Sequence, residues 1–314
     1  MNKRDKMIID MINEGKPLSI MSKELGMANM DLYKSLLSLK TDKELLKKYY
    51  YNGDTKFEFS DTTSNNNYTE IFTTKKNRNI KFVVVSDIHL GSPKRRIDAL
   101  SEVYEYCSKN NIHNILNCGD LFESTNDFMI NREKIVQDEI LALLDNYPFD
   151  ANILNYICLG NHDHILDKIS RISIMEILEN NYHDLIPLSY GSGCIKIKND
   201  FIKLSHKLNS NDLHKDSNSD HIITFAGHYH SDGLKNIEKT SNNIFCVPTL
   251  SDLQRHENDY PGIYDVNFEL TDNGYFKSVN IRLLKYIDKK FKLINEINIP
   301  LNHNKKNSNK ILTK

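Results

Sequence analysis

The chain reads as an α/β protein with a small all-helical domain at its N-terminus. Three observations lead there. From Ile80 onward, short β-branched runs alternate with segments whose apolar residues recur at helical spacing. Each run stops at a motif rich in Asp, Asn, His or Gly. Residues 1–45 keep helical spacing, punctuated by Gly15, Pro17 and Gly26. The organisation expected is a helix-turn-helix-like domain over 1–45, a linker over 46–79, a large α/β domain over 80–300, and a disordered Lys- and Asn-rich tail over 301–314.

The elements follow in order. Met7, Ile8, Met11 and Ile12 make one helical face, Ile20, Met21 and Leu25 a second, and Leu32, Leu36 and Leu37 a third. A polar stretch follows, with room for a short strand at Lys56 to Phe59. Lys81 to Val85 is a β-branched strand ending at Asp87-Ile88-His89, and Ile97 to Cys107 is a helix with Leu100, Val103 and Tyr104 on one face. Ile112 to Cys118 runs into Gly119-Asp120. A helix over Ile135 to Leu144 precedes the run Ile153 to Leu159, which stops at Gly160-Asn161-His162-Asp163. After a helix over Ile169 to Leu178, Phe201 to Leu204 leads to His206, and Ile222 to Ala226 leads to Gly227-His228-Tyr229-His230. In α/β sheets the loops beyond the carboxyl ends of strands converge on one rim, so all five motifs are expected to meet there.

Composition narrows the class. Lys plus Arg number 41 against 42 Asp plus Glu, so no global field argues for or against nucleic acid. Five scattered cysteines without a C-x-x-C pair fit reduced thiols in a cytoplasmic protein. No apolar run approaches the length that crosses a membrane.

The residue types in the motifs point to metal chemistry. Asp and Asn oxygens mixed with imidazole nitrogens suit Mn, Fe, Zn or Ni, whereas an all-oxygen cage would suit Mg or Ca and thiolates a structural Zn. A carboxylate can bridge two ions about 3.5 to 4 Å apart, a spacing that clamps a phosphoryl group for in-line displacement. Asp120 is the expected bridge. Glycines before Asp120, Asn161 and His228 allow the backbone to approach closely. Singly, such residues are often turn or capping residues, but five motifs in one order outweigh that reading. His113, His164, His183 and His256 read as ordinary histidines, and Arg95-Arg96 as a solvated helix start.

Taken together, these motifs resemble those of the calcineurin-like metallophosphoesterase superfamily, D-x-H, G-D, G-N-H-D/E, H and G-H-x-H, over roughly residues 80–290. The resemblance implies a double-layered β-sandwich flanked by helices and two divalent metal ions, with Mn first in line. It implies that Asp87, His89 and His230 hold one metal, that Asn161, His206 and His228 hold the other, and that Asp120 bridges them. It also implies His162 as the general acid, with Asp163 helping to orient it. One motif departs: His206 is followed by Lys207 where the family commonly has glycine, and His214 and His221 are rival candidates. His206 is preferred because it lies just beyond a strand. Glu123 reads equally as a partner of a site imidazole or a plain surface carboxylate.

The N-terminal segment bears on substrate. Ser19 to Leu37 resembles a helix-turn-helix, with small Ser22 and a turn at Gly26, and residues 1–50 hold ten Lys/Arg against seven Asp/Glu. A helical packing module fits it equally well. The function expected is a two-metal phosphohydrolase, a phosphodiesterase on DNA or nucleotides, with DNA reached through residues 1–45. The alternatives are a phosphomonoesterase on small nucleotides or phosphoproteins, and a DNA-binding regulator with a vestigial phosphoesterase domain.

Overall fold

Helical spacing at the N-terminus produces the first unit of the fold. The structure, a computed structural model, describes residues 3–28, 32, 35–36, 44–51, 54–61, 68–71, 78–124, 140–170, 173–182, 184–208, 221–235, 243–253 and 260–301. α1 (Lys3–Asn13) and α2 (Leu18–Leu25) bury Ile8, Met11, Ile12, Leu18 and Met21 in one small core. α2 ends at Gly26, whose left-handed φ of 62° places its N–H on the carbonyls of Lys23 and Ser22. Leu32 and Leu36, a helical turn apart, are buried in the same core, and Leu32 N–H donates to Ala28 O at 3.0 Å.

Within the stretch read as linker lies an antiparallel hairpin, β1 (Glu44–Tyr51) and β2 (Asp54–Asp61), and β2 packs on α1 and α2. The signal was present in the sequence. Asn52-Gly53 between Tyr- and Phe-rich runs is the strongest short-range hairpin pattern, outweighed in the sequence reading by the polar composition around it. The tail expected over 301–314 lies, apart from the buried Leu301, outside the described residues.

The other strands form two facing sheets. β3 (Thr69–Glu70) borders a six-stranded sheet with β8 (Ser192–Ile197), β9 (Asp200–Ser205), β10 (His221–Ala226), β11 (Gly233–Lys235) and β12 (Asn243–Cys246), in the order β11-β12-β10-β9-β8-β3. The second sheet contains β4 (Asn79–Val85), β5 (Asn114–Asn117), β6 (Leu154–Leu159), β7 (Leu185–Tyr190), β13 (Gly262–Leu270), β14 (Phe276–Ile287) and β15 (Lys290–Pro300), in the order β15-β14-β13-β4-β5-β6-β7. β4 to β7 run parallel, and β13 to β15 continue the sheet antiparallel.

Strand alternation explains the layers. Ile80, Phe82 and Val84 of β4 enter the core between the sheets, while Val83 and Val85 enter the core under the helices. β6 divides likewise, with Leu154, Tyr156 and Cys158 on one side and Ile157 and Leu159 on the other. Strands buried on both faces read as unbroken apolar runs, which is how these appear in the sequence.

The outer layer consists of α3 (Ile97–Lys109), a helical stretch at 140–145, α4 (Asn161–Ser170) and α5 (Ile174–Asn181). The single helix expected over Ile169 to Leu178 is two helices. Ser173 caps the second by accepting the Glu176 N–H at 3.2 Å, and the first begins on the third motif itself. Of the helix expected over Ile135 to Leu144, residues 140–144 are helical and the rest lie outside the described residues.

Candidate metal centre

The carboxyl ends of β4, β5, β6, β9 and β10 converge on one rim. Asp87 follows β4, Asp120 follows β5, Asn161 follows β6, His206 follows β9, and His228 and His230 follow β10. Four of these side chains, and that of His89 beyond β4, hang from strained backbone. Asp87, His89, Asp120, His228 and His230 have φ between 48° and 69°, a left-handed region that costs roughly 1–2 kcal/mol per non-glycine residue. The strain is held by local bonds. Asp87 N–H donates to Gly119 O at 2.9 Å, His89 N–H to Asp120 O at 3.1 Å, and the two oxygens of Asp87 accept the His228 N–H at 3.2 and 3.0 Å.

The donor atoms gather into three overlapping groups, each with its atoms within 4.8 Å of one another: Asp87, His89 and His230; Asp120, His206 and His228; and His89, Asp120 and His162. His230 Nε2 lies 3.3 Å from Asp87 Oδ1, and His206 Nε2 lies 3.1 Å from Asp120 Oδ2 and 2.9 Å from Asn161 Oδ1. The seven residues expected as ligands are thus brought together. Of the rivals for the middle histidine, His214 lies outside the described residues and His221 opens β10, at the other end of that strand from the rim.

The pocket fits cations by its own features. His89 Nε2 is fully buried and makes no hydrogen bond, although buried nitrogens normally have a partner. The backbone is drawn in tightly. A Cβ on Gly119, where φ is 106°, would sit 2.6 Å from His206 Nδ1, and one on Gly160 would collide with Asp120 Oδ1. Among the described groupings no cysteine contributes, and the mixed oxygen and imidazole set suits a borderline transition metal.

Charge within the cluster is strongly coupled. Burial opposes a proton on His206, yet the hydrogen bond and charge of Asp120 raise it to about 9. Burial works against ionised Asp87, but the His230 hydrogen bond and the charge of His206 hold its carboxyl low. Burial and the neighbouring His206 charge depress His228. Cations arriving here would displace imidazole protons.

His162 stands beside the ligand cluster, while Asp163 bonds to backbone N–H groups. Asp163, fully buried, accepts N–H bonds from Gly160 at 2.7 Å, Phe122 at 2.8 Å and Leu121 at 3.2 Å, so it ties the second motif to the third. Burial and the like charge of Asp120 raise its carboxyl to about 6. The carboxylate that reaches His162 is Glu123, with Oε1 2.7 Å from His162 Nδ1 and Oε2 3.3 Å from His89 Nδ1. That hydrogen bond raises His162 above its ordinary value. Three residues after Asp120, Glu123 gave no sequence signal that separated it from a surface carboxylate.

Other supports were invisible in sequence because they are backbone carbonyls. Cys118 O faces His206 Nδ1 at 2.9 Å and Leu253 O faces His230 Nδ1 at 2.6 Å. Thr249, which donates to Asp87 O at 2.9 Å, lies in a loop that carries no metal-ligand motif. Of the histidines read as ordinary, His113 Nδ1 meets Asn152 O and His164 packs near Tyr190, while His183 and His256 lie outside the described residues. Arg96 pairs with Asp98 and Asp252 rather than facing the rim.

In structure the chain is similar to Vacuolar Protein Sorting 29 from Cryptosporidium parvum (12% identity, 71% of this chain and 100% of that one, TM-score 0.43). It is also similar to a dimetal phosphatase from Danio rerio (9% identity, 71% and 99%, TM-score 0.40) and to the nuclease MPE of Pseudomonas putida (11% identity, 68% and 87%, TM-score 0.32). No curated protein matches it in sequence. Among the described residues no helix is long and apolar enough to cross a membrane. The calcineurin-like phosphoesterase family matches residues 80–294, which carry the rim and most of the core between the two sheets. The chain therefore belongs to the calcineurin-like phosphoesterase family, and it is a metal-dependent hydrolase of phosphoester bonds.

Proposed function

We propose that the centre is a two-metal phosphodiesterase site acting on DNA, in a cytoplasmic protein whose five thiols are all free. Asp87, His89 and His230 would hold one ion, Asn161, His206 and His228 the other, and Asp120 would reach both. The oxygen and nitrogen donor set favours manganese. Two bound cations would polarise the phosphoryl group and offset the charge that develops on it.

The chain's own residues supply the proton chemistry. As a water oxygen forms its bond to phosphorus, the bond to the leaving oxygen breaks and that oxygen must gain a proton. His162 gives it from Nε2, because Nδ1 is engaged by Glu123, and the proton shed by the attacking water leaves to solvent, from which the imidazole is reprotonated. The observation that carries the reading is this placement: one imidazole beside the ligand cluster, half-exposed and held by a carboxylate whose other oxygen lies 3.3 Å from His89 Nδ1. An alkoxide leaving group, as in a DNA diester, is where such an acid contributes most.

A panel of bis-p-nitrophenyl phosphate, p-nitrophenyl phosphate, and single- and double-stranded DNA, each with Mn, Ni, Zn or Mg, tests this. Manganese-dependent turnover of the diester and of DNA is expected; faster turnover of the monoester would move the site to the phosphomonoesterase reading. Glu123→Gln should lower activity by about 10–100-fold, the usual cost of losing a carboxylate behind a metal-bound imidazole. Undiminished turnover would make Glu123 a bystander.

A further inference from the structure

We infer that the rim beside Asn161 and His206 carries a subsite for the nucleotide next to the scissile phosphate, with His164 and Tyr190 taking its base and Lys207 its outer phosphate. Helix spacing sets the first part. α4 starts on Asn161, so His164 and Ile165, three and four residues on, share that ligand's face of the helix, with Cβ atoms about 5–6 Å from its own. Both are exposed, and Asn161 Oδ1 on the same face meets His206 Nε2 at 2.9 Å, so the face is open to solvent where it joins the cluster.

The ring beside His164 is fixed in place. Tyr190 ends β7, with its centroid 5.3 Å from that of His164 and the two planes inclined at 55°, and its hydroxyl donates to Asp167. Asp167 is itself held, since it accepts the Ile174 N–H at 3.0 Å. A tethered tyrosine that backs a second, exposed ring is a platform with little conformational freedom to lose, and every nucleobase has a π-face to lay on it.

Lys207 lies on the other flank of the same ligand pair. His206 N–H donates to Gly191 O at 2.7 Å, so Tyr190 and Lys207 are the residues next to the two ends of one hydrogen bond. Ser205, His206 and Leu208 are buried and Ser205 Oγ donates to Lys207 O at 3.0 Å, which pins the backbone and leaves the exposed Lys207 side chain to reach outward. Its charge is felt at His228, as expected of a cation near that group of ligands. The ligand cluster addresses the reacting phosphoryl group, and a cation outside it is positioned for the next phosphate along a strand, a contact that fixes register without reading sequence. A phosphoprotein offers neither a base nor an adjoining phosphate. The subsite deepens the proposed diesterase reading and rests on it for the class of substrate.

Competitive inhibition of bis-p-nitrophenyl phosphate turnover by the full chain with manganese tests this, with deoxyribose phosphate, thymidine monophosphate and thymidine bisphosphate as probes. The parent is expected to bind the monophosphate at least about fivefold more tightly than deoxyribose phosphate, the low end of what a stacked base contributes. It should bind the bisphosphate about threefold more tightly than the monophosphate, as one exposed charge pair allows. His164→Ala should erase the first preference and His164→Phe keep it, while Lys207→Ala should erase the second and Lys207→Arg keep it. Each preference is a ratio within one protein, so any change in turnover cancels, and thermal melts like the parent's show that the variants are folded. A parent that lacks either preference, or an alanine variant that retains the one it should lose, overturns the inference. Preferences that vanish as expected in a protein that hydrolyses monoesters and leaves DNA intact would uphold the subsite and sink the diesterase reading alone.

Discussion

Replacing Asp120 by alanine is expected to empty at least one metal position and to lower turnover further than any other single change in the centre. Its Oδ2 lies 3.1 Å from His206 Nε2 and 4.0 Å from His89 Nε2, so it touches both ligand groups, and its Oδ1 accepts the His162 N–H at 2.9 Å. Truncation removes a ligand, leaves His206 without its counter-charge, and unties the start of α4. The loss should exceed the roughly 10²–10⁴-fold that a missing general acid costs. Metal per chain by mass spectrometry, beside diester turnover and a circular dichroism spectrum, decides the matter. Two full equivalents of bound metal in a folded variant would remove Asp120 from the bridging role.

His162→Ala should behave differently, leaving metal content intact while slowing cleavage of DNA by about two to four orders of magnitude. The contrast matters because His162 also falls within reach of His89 and Asp120, in a grouping that could itself hold a cation. The leaving group separates the roles. p-Nitrophenolate departs readily without a proton, so the variant should lose far less on bis-p-nitrophenyl phosphate than on DNA. An equal loss on both substrates, or a lost metal equivalent, would make His162 a ligand and not an acid.

The rim was legible in sequence because each ligand motif follows a short apolar run, and strand ends are where an α/β sheet gathers its loops. Alternation alone could not tell that β4 and β6 serve two cores, since burial on both faces erases the polar and apolar rhythm. His206 could be chosen over its rivals because Phe201 to Leu204 precedes it, as β9 does in the structure. Glu123 could not be promoted, since its meaning comes from His162, 39 positions later in the chain. The start of α4 on Asn161 was hidden because its first turn is held by Asp163, which reaches back to the second motif.

The left-handed turns at Asp87 and Asp120 limit which amino acids can be exchanged there without confounding the outcome. Alanine would remove the carboxylate and at the same time sit in a torsion it dislikes, so part of any loss would come from the peptide geometry itself. Asparagine, which tolerates that torsion comparatively well, isolates the missing negative charge. Pairing the two replacements at each position would separate what the side chain contributes from what its shape in the main chain requires.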